Sequence, residues 1–196
     1  MTTQERFRRI LQHQEADRIP ITDHPWSSTL DRWHNEGLPA NIDWADYFEL
    51  DRFAEFEVDN SPIYPVQTIE ETDDYRIHTT SWGATLKTWK KHGGVPEFLN
   101  FTITDPDAWR AAKQRITTSH DRVNIENLRQ NFPRWRSEGR WIIASLWFGF
   151  DVTHSWMVGT ETVLMALAED PAWIVDMWNT QLSTQLALLD LSLIHI

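Results

Sequence analysis

The run Trp141-Ile142-Ile143-Ala144-Ser145-Leu146 constrains the fold more than any other feature of the chain. It is continuously apolar, as expected of a strand covered on both faces in a parallel sheet. Two further segments read as strands. Asp17-Arg18-Ile19-Pro20-Ile21-Thr22 is a short strand opened by a turn, with Pro20 where no ladder hydrogen bond is needed. Arg52 through Asp59 alternates apolar and polar residues at strand spacing. Helical sequence follows each strand, and that order predicts parallel β/α units in an α/β protein.

Thr3 is a predicted N-cap for a first helix, with Phe7, Ile10 and Leu11 on one face. A second helix spans Ser27 to Glu36, closed by Gly37 and Pro39. Asn41 to Phe48 adds a capped helical turn. From Gln67 to Lys91 the texture is a β-meander inserted between the second and third strands. Asp73-Asp74 makes a turn in it, and Gly93-Gly94 closes it. Asp105 as cap and Pro106 at the first position open another helix. A long helix over Val123 to Glu138 is expected to break or bend at Pro133. After Leu146 come a loop from Trp147 to His154 and a helix to Ala168. Glu169-Asp170-Pro171 then starts a final helix carrying Ile174, Met177, Trp178, Leu182 and Leu186 at helical intervals.

Composition sets the class. Hydrophobic residues make up 41% and charged residues 24%, the balance of a folded globular domain. No stretch approaches the run of about 20 apolar residues that a membrane span needs. The start, Met1-Thr2-Thr3-Gln4-Glu5-Arg6-Phe7, lacks the basic and apolar regions of a signal peptide, so the expected compartment is the cytoplasm. Without cysteine the chain has no disulfide, thiol nucleophile or thiolate metal site. A net charge of -11 argues against nucleic acid or an anionic membrane surface as partner. Twelve Trp are read as packing and oligomer contact, with Trp156 set apart as a site residue.

Several segments carry a resemblance in order and spacing: Glu5-Arg6-Phe7-Arg8-Arg9-Ile10-Leu11, then Asp17 to Ile21, Asp51 to Asp59, Ser81-Trp82-Gly83-Ala84-Thr85, and Gly159-Thr160-Glu161-Thr162-Val163-Leu164 before Glu169-Asp170-Pro171. Over residues 3 to 190 the chain resembles the uroporphyrinogen decarboxylase family and its methyltransferase relatives. The resemblance implies a (β/α)8 TIM barrel, of which this chain would supply the N-terminal part, ending after about three core strands. It also implies one of two chemistries. One is cofactor-free decarboxylation of uroporphyrinogen in porphyrin biosynthesis, or of another carboxylated substrate. The other is methyl transfer among small methylated compounds, corrinoids and thiols, with zinc activating the thiol. The zinc ligands, a His and two Cys, would fall outside this chain, so no metal ligand is assigned here. A corrinoid or tetrapyrrole partner and a homodimer are implied for the full-length protein.

Carried over residue by residue, Asp59 matches the decarboxylase's central aspartate at the end of the second strand. It would accept N–H donors or stabilise developing positive charge; alternatively, it caps the loop before Asn60-Ser61-Pro62. The arginine-rich stretch after the first strand is replaced by Asp23-His24-Pro25-Trp26, with Arg32 its only nearby guanidinium. The family's tyrosine falls at Trp156, which can donate a hydrogen bond but not act as a phenol acid. Both departures favour the methyltransferase-like branch. The candidate catalytic residues are Asp59 and His154; Asp23, His24, Tyr64, Asp151 and Trp156 are candidate substrate contacts. His24 and His154 also read as satisfied loop histidines, and Asp151 as a helix-start residue. His13, His34, His78, His92 and His120 do not cluster.

The last six residues, Leu191-Ser192-Leu193-Ile194-His195-Ile196, look like a translated sequencing adapter, which would end the native portion at Asp190; a true apolar helix end is the other reading. An open sheet of three parallel strands leaves unpaired edges, so the chain alone is expected to be unstable or aggregation-prone and without catalysis of its own.

Overall fold

The computed structural model describes residues 1–91 and 94–193. In chain order the helices and strands are α1 (Thr3–Leu11), α2 (Ser27–Glu36), α3 (Trp44–Tyr47), β1 (Phe53–Glu57), β2 (Thr68–Glu71), β3 (Tyr75–Thr79), β4 (Ala84–Trp89) and β5 (Glu97–Phe101). There follow α4 (Pro106–Lys113), α5 (Ile125–Ser137), β6 (Trp141–Ser145), α6 (Phe150–Val152), α7 (Thr160–Glu169) and α8 (Pro171–Leu193). The result is a mixed α/β protein with a two-stranded parallel sheet and a four-stranded antiparallel sheet; no closed barrel is present among the described residues. No helix among them is long and apolar enough to cross a membrane. Of the sequence expectations, Gly93 in the meander turn, His92 and residues 194–196 lie outside the described residues.

Two compact units divide the chain. The first combines Met1–Glu57 with Ile125–Ser145. Its sheet pairs β1 with β6 in parallel, Phe53 opposite Trp141 and Phe56 opposite Ala144. Ala54 and Phe56 are buried, as the alternation in β1 predicts. The β6 run is half-buried along its whole length, not buried on both faces, because among the described residues β1 is its only strand neighbour. On α1, Phe7 packs edge-on to Phe53 at 5.2 Å and stacks on Trp141 at 5.0 Å. The face that α1 buries holds Thr3 and Arg6, while Ile10 and Leu11 stay exposed. Its cap is Thr2, one residue earlier than expected, and the Thr2 hydroxyl accepts from the Glu5 amide at 3.2 Å.

The expected strand over Asp17–Thr22 does not form. Its Ile21 amide and its Arg18 guanidinium go to one buried carboxylate instead of a sheet ladder. Asp51 accepts from the Ile21 amide at 2.9 Å, from Arg18 at 2.6 Å and from Arg6. Asp17 takes the rest of the Arg6 fork at 2.6 and 2.8 Å. The parallel sheet therefore has two strands where three were expected. Helix α2 has the expected limits, with Gly37 at φ +118° ending it. Pro133 sits inside α5 without ending it.

The second unit joins Val58–Asn124 to the chain from Leu146 onward. The meander runs β2-β3-β4-β5, one strand longer than the expected excursion, since the chain re-enters the sheet at Glu97. Its helical layer centres on Trp109, Met157, Val163, Ile174 and Met177. Asp105 caps α4 by accepting from the Ala108 amide at 2.8 Å, with Pro106 in the first turn as expected. Helix α8 departs from its expected stripe. Leu182 and Leu186 are exposed, and the inward positions include Gln181, Thr184 and Gln185. Those amides hold the site described next.

Candidate functional site

The chain leaving β1 enters the second unit through an antiparallel bridge between Val58 and Val123. Asp59 is exposed and folds back on its own loop: its Oδ1 accepts from the Ser61 amide at 2.9 Å, an Asx turn. Arg122 is buried beneath it and donates to the Asp59, Ser61 and Arg115 carbonyls at 3.0, 2.7 and 2.8 Å. Burial lowers the Arg122 pKa from its usual value, and the Asp59 charge opposes that. The guanidinium thus fixes a loop and offers no open fork to a ligand. Asn60, 1% exposed, donates to the Trp147 carbonyl at 2.7 Å. That bond ties the loop after β1 to the segment after β6.

The second segment, expected as a loop, is helical. Gly149 at φ +82° opens α6, and a π-helical turn follows over Thr153–Met157. The Val158 amide bonds to the Thr153 carbonyl at 2.9 Å, five residues back. Buried groups stabilise this wider turn. The Thr153 hydroxyl donates to the Gly149 carbonyl at 2.8 Å and accepts from the Trp178 indole at 3.1 Å. From α8, Gln181 contacts the Met157 sulfur at 2.9 Å, and Gln185 donates to the Trp147 carbonyl at 2.7 Å. Single extra residues in helical turns recur at functional sites. Replacing Gln185 with Ala should cost about 1–2 kcal/mol, because the carbonyl loses a buried donor while Asn60 keeps the other; a chemical denaturation midpoint would measure it.

The turn brings two sequence-selected residues together. His154 Nε2 lies 3.7 Å from Asp151 Oδ1, within ion-pair range. On the other side of the ring, Nδ1 is 3.0 Å from the Thr160 hydroxyl, and the Ser155 hydroxyl is within 3.3 Å of both nitrogens. The Phe150 ring lies against the imidazole at 4.7 Å. At 3.7 Å the exposed Asp151 carboxylate lies beyond hydrogen-bond reach, so the neighbours that bond the imidazole are the Thr160 and Ser155 hydroxyls. Trp156 meets Trp147 at 5.1 Å and Phe98 at 5.4 Å, both edge-to-face.

Tyr64 stands elsewhere in the same unit. Its ring lies under Arg115, whose guanidinium carbon is 4.9 Å from the ring centroid, and burial pushes its phenol pKa up. It lines an open groove of about 630 Å³ with Thr102, Ala108, Ala111, Gln114 and Arg115. Asp23 and His24 belong to the first unit and are exposed, and the Asp23 carboxylate accepts from the His24 amide at 2.8 Å. Arg32 pairs with Glu36 one turn along α2 at 3.2 Å. Sequence reading missed Asn60, Arg122, Trp147, Gln181 and Gln185. The one available signal was a pair of Gln, four apart, on the apolar side of the final helix.

Among the described residues no group of three or more His, Asp or Glu is placed to hold a metal ion. The class that fold and site define is a mixed α/β protein in which Asp59 follows β1, and Asp151, His154 and Trp156 lie on the helical segment after β6, with the buried Asn60 bonding the first segment to the second. Compared with known proteins, the chain matches no family model, no curated protein and no solved structure.

Proposed function

We propose that the chain is the N-terminal part of a (β/α)8 barrel enzyme of the uroporphyrinogen decarboxylase type, from the branch that transfers methyl groups to or from small molecules or corrinoids. Parallel pairing of β1 and β6 supports the barrel reading, as does the placement of Asp59 and His154 on the segments that follow those strands. In such barrels the site is built from the loops at the strands' C-terminal ends.

One observation carries the choice of branch. The guanidinium groups beside the Asp59 loop are committed to backbone. Arg122 serves three carbonyls, and Arg115 donates to the Pro62 and Ile63 carbonyls at 2.9 and 2.8 Å. A substrate with many carboxylates needs open guanidinium forks. Asp59 then orients the substrate or stabilises positive charge, and His154 and Trp156 shape the pocket and donate hydrogen bonds.

Zinc does not fit the residues of this chain, which has no cysteine and, among the described residues, no three-ligand cluster. The resemblance puts that metal on residues outside the chain, so no step here runs through it. An assay of the full-length parent enzyme tests the reading. Methyl transfer with one zinc per chain is the expected outcome, with Asp59→Asn and His154→Gln each lowering kcat by about a hundredfold. Release of carboxyl groups from uroporphyrinogen would overturn it.

A further inference from the structure

His78, on β3, carries a ring nitrogen that is buried without a partner: among the described residues nothing hydrogen-bonds its Nδ1. Burying a polar atom unpaired is costly, and burying a charge in its place costs more. The flanking strands offer no relief. Opposite His78 stand Thr68 on β2 and Leu86 on β4, neither of them charged. Two positions back along β3, on the same face, is Arg76, a like charge to a protonated imidazole. The carboxylates of β2 are engaged elsewhere. Glu71, opposite Arg76, pairs with Lys90 at 2.8 Å, and Glu70, opposite Ile77, accepts from the Tyr75 phenol at 2.6 Å. Lys87 of β4 is opposite Ile77 and lies over the Tyr75 and Trp89 rings, on the other face. Arg76 is thus the charged group that acts on the ring among the described residues.

The strand beside His78 is lightly held. β2 lies at the edge of its sheet, pairs with β3 alone among the described residues, and is exposed at every position. A bulge between Thr68 and Glu70 interrupts its ladder at the level of His78 and Ile77. Thr79, the next residue on β3, ties down the chain entering β2. Its hydroxyl accepts from the Gln67 amide at 2.9 Å and donates to the Pro65 carbonyl at 2.8 Å, and its amide bonds the Gln67 carbonyl at 2.9 Å. Tyr64, which lines the groove, directly precedes Pro65. Burial holds the His78 pKa below its ordinary value and the Arg76 charge adds to that, against the weaker opposing pull of the Arg76 backbone.

We propose that the β2–β3 edge of the meander is an acid-operated latch, shut while His78 is neutral and released when the ring takes a proton. Release frees residues 65–71, next to Tyr64, and leaves β4 and β5 paired. The freed chain takes the proton near about pH 6.5, and the buried ring only at lower pH. The latch is therefore fully shut above the freed-chain value and loosens as pH falls toward the folded one. Amide hydrogen exchange of the 196-residue chain, corrected for the intrinsic effect of pH on exchange, tests this. Between about pH 7.5 and about pH 5.5, protection over residues 65–71 should fall about fivefold, while β4 and β5 keep theirs. His78→Gln, neutral throughout, should remove that dependence. A second measurement needs no variant: in a nuclear magnetic resonance titration of the parent chain, the His78 ring should protonate below about pH 6.5. Protonation at or above that value would overturn the proposal. So would undiminished protection at low pH, an equal loss across β4 and β5, or the same loss in His78→Gln.

Discussion

Gly159→Ala should destabilise the chain by about 3 kcal/mol, combining left-handed backbone strain of about 1–2 kcal/mol with overpacking of about 1–3 kcal/mol. Gly159 sits at φ +96°, and an added Cβ would lie 2.8 and 2.9 Å from two carbons of the Phe101 ring. The ring cannot retreat freely, because it stacks on Phe98 at 6.1 Å and Phe98 in turn backs Trp156. The strain should therefore reach Trp156 through Phe98. Gly149→Ala is the control. Its φ is +82°, but nothing lies within 4 Å of the added carbon, so backbone strain of about 1–2 kcal/mol is all that should appear. Urea denaturation midpoints of the two variants measure the difference. Equal shifts would mean that the Phe101 contact contributes nothing.

Arg6→Ala should cost the first unit a similar amount, about 3 kcal/mol, since it strips one partner from a buried carboxylate. Asp51 has no exposed side-chain surface, and after the change its remaining partners are Arg18, the Ile21 amide and the Thr3 hydroxyl. The same network sets a pH dependence. Burial alone would raise the Asp51 pKa, but the Ile21 amide and the guanidiniums of Arg18 and Arg6 outweigh it and hold the carboxyl below its ordinary value. Hydrogen bonding to Arg6 depresses Asp17 in the same direction. For a carboxyl depressed on folding, the unfolded chain binds the proton more readily. The stabilisation is complete above the unfolded pKa, near about 4, and is lost as pH falls through the lower folded values. Acid titration of the parent chain should show that loss below about pH 4, and Arg6→Ala should flatten it. An unchanged acid limb would rule out the network as its source.

Local signals in the sequence were read correctly where a few neighbouring residues decide the structure. Asp105-Pro106 places the start of α4, and Gly37 the end of α2, because a side-chain oxygen or a left-handed residue acts within one turn. Reading failed where a distant group competes. Asp17–Thr22 has strand-like residues, yet Asp51, some thirty positions on, takes its Ile21 amide and its Arg18 guanidinium. Trp147–His154 has loop-like residues, yet Gln181 and Gln185 of α8 supply the donors and acceptor that make its wider helical turn stable.

The candidate site divides in the same way. Asp151 and His154, three apart, were legible as residues, but they become a pair only once the segment is helical. Trp156 was legible, but not its partners Trp82 and Trp147, which lie far apart in sequence and meet only after packing.

By itself the sequence determined the α/β class, most helix limits, the inserted meander and the acidic character of the chain, all of which follow from composition and short-range periodicity. Tertiary structure alone decided that Asp17–Thr22 stays out of the parallel sheet, that Asp51 gathers the N-terminal arginines, and that Arg122 is spent on backbone carbonyls. These outcomes depend on which buried polar group finds which partner. That choice is made by the free-energy cost of leaving any of them unpaired, and no local pattern encodes it.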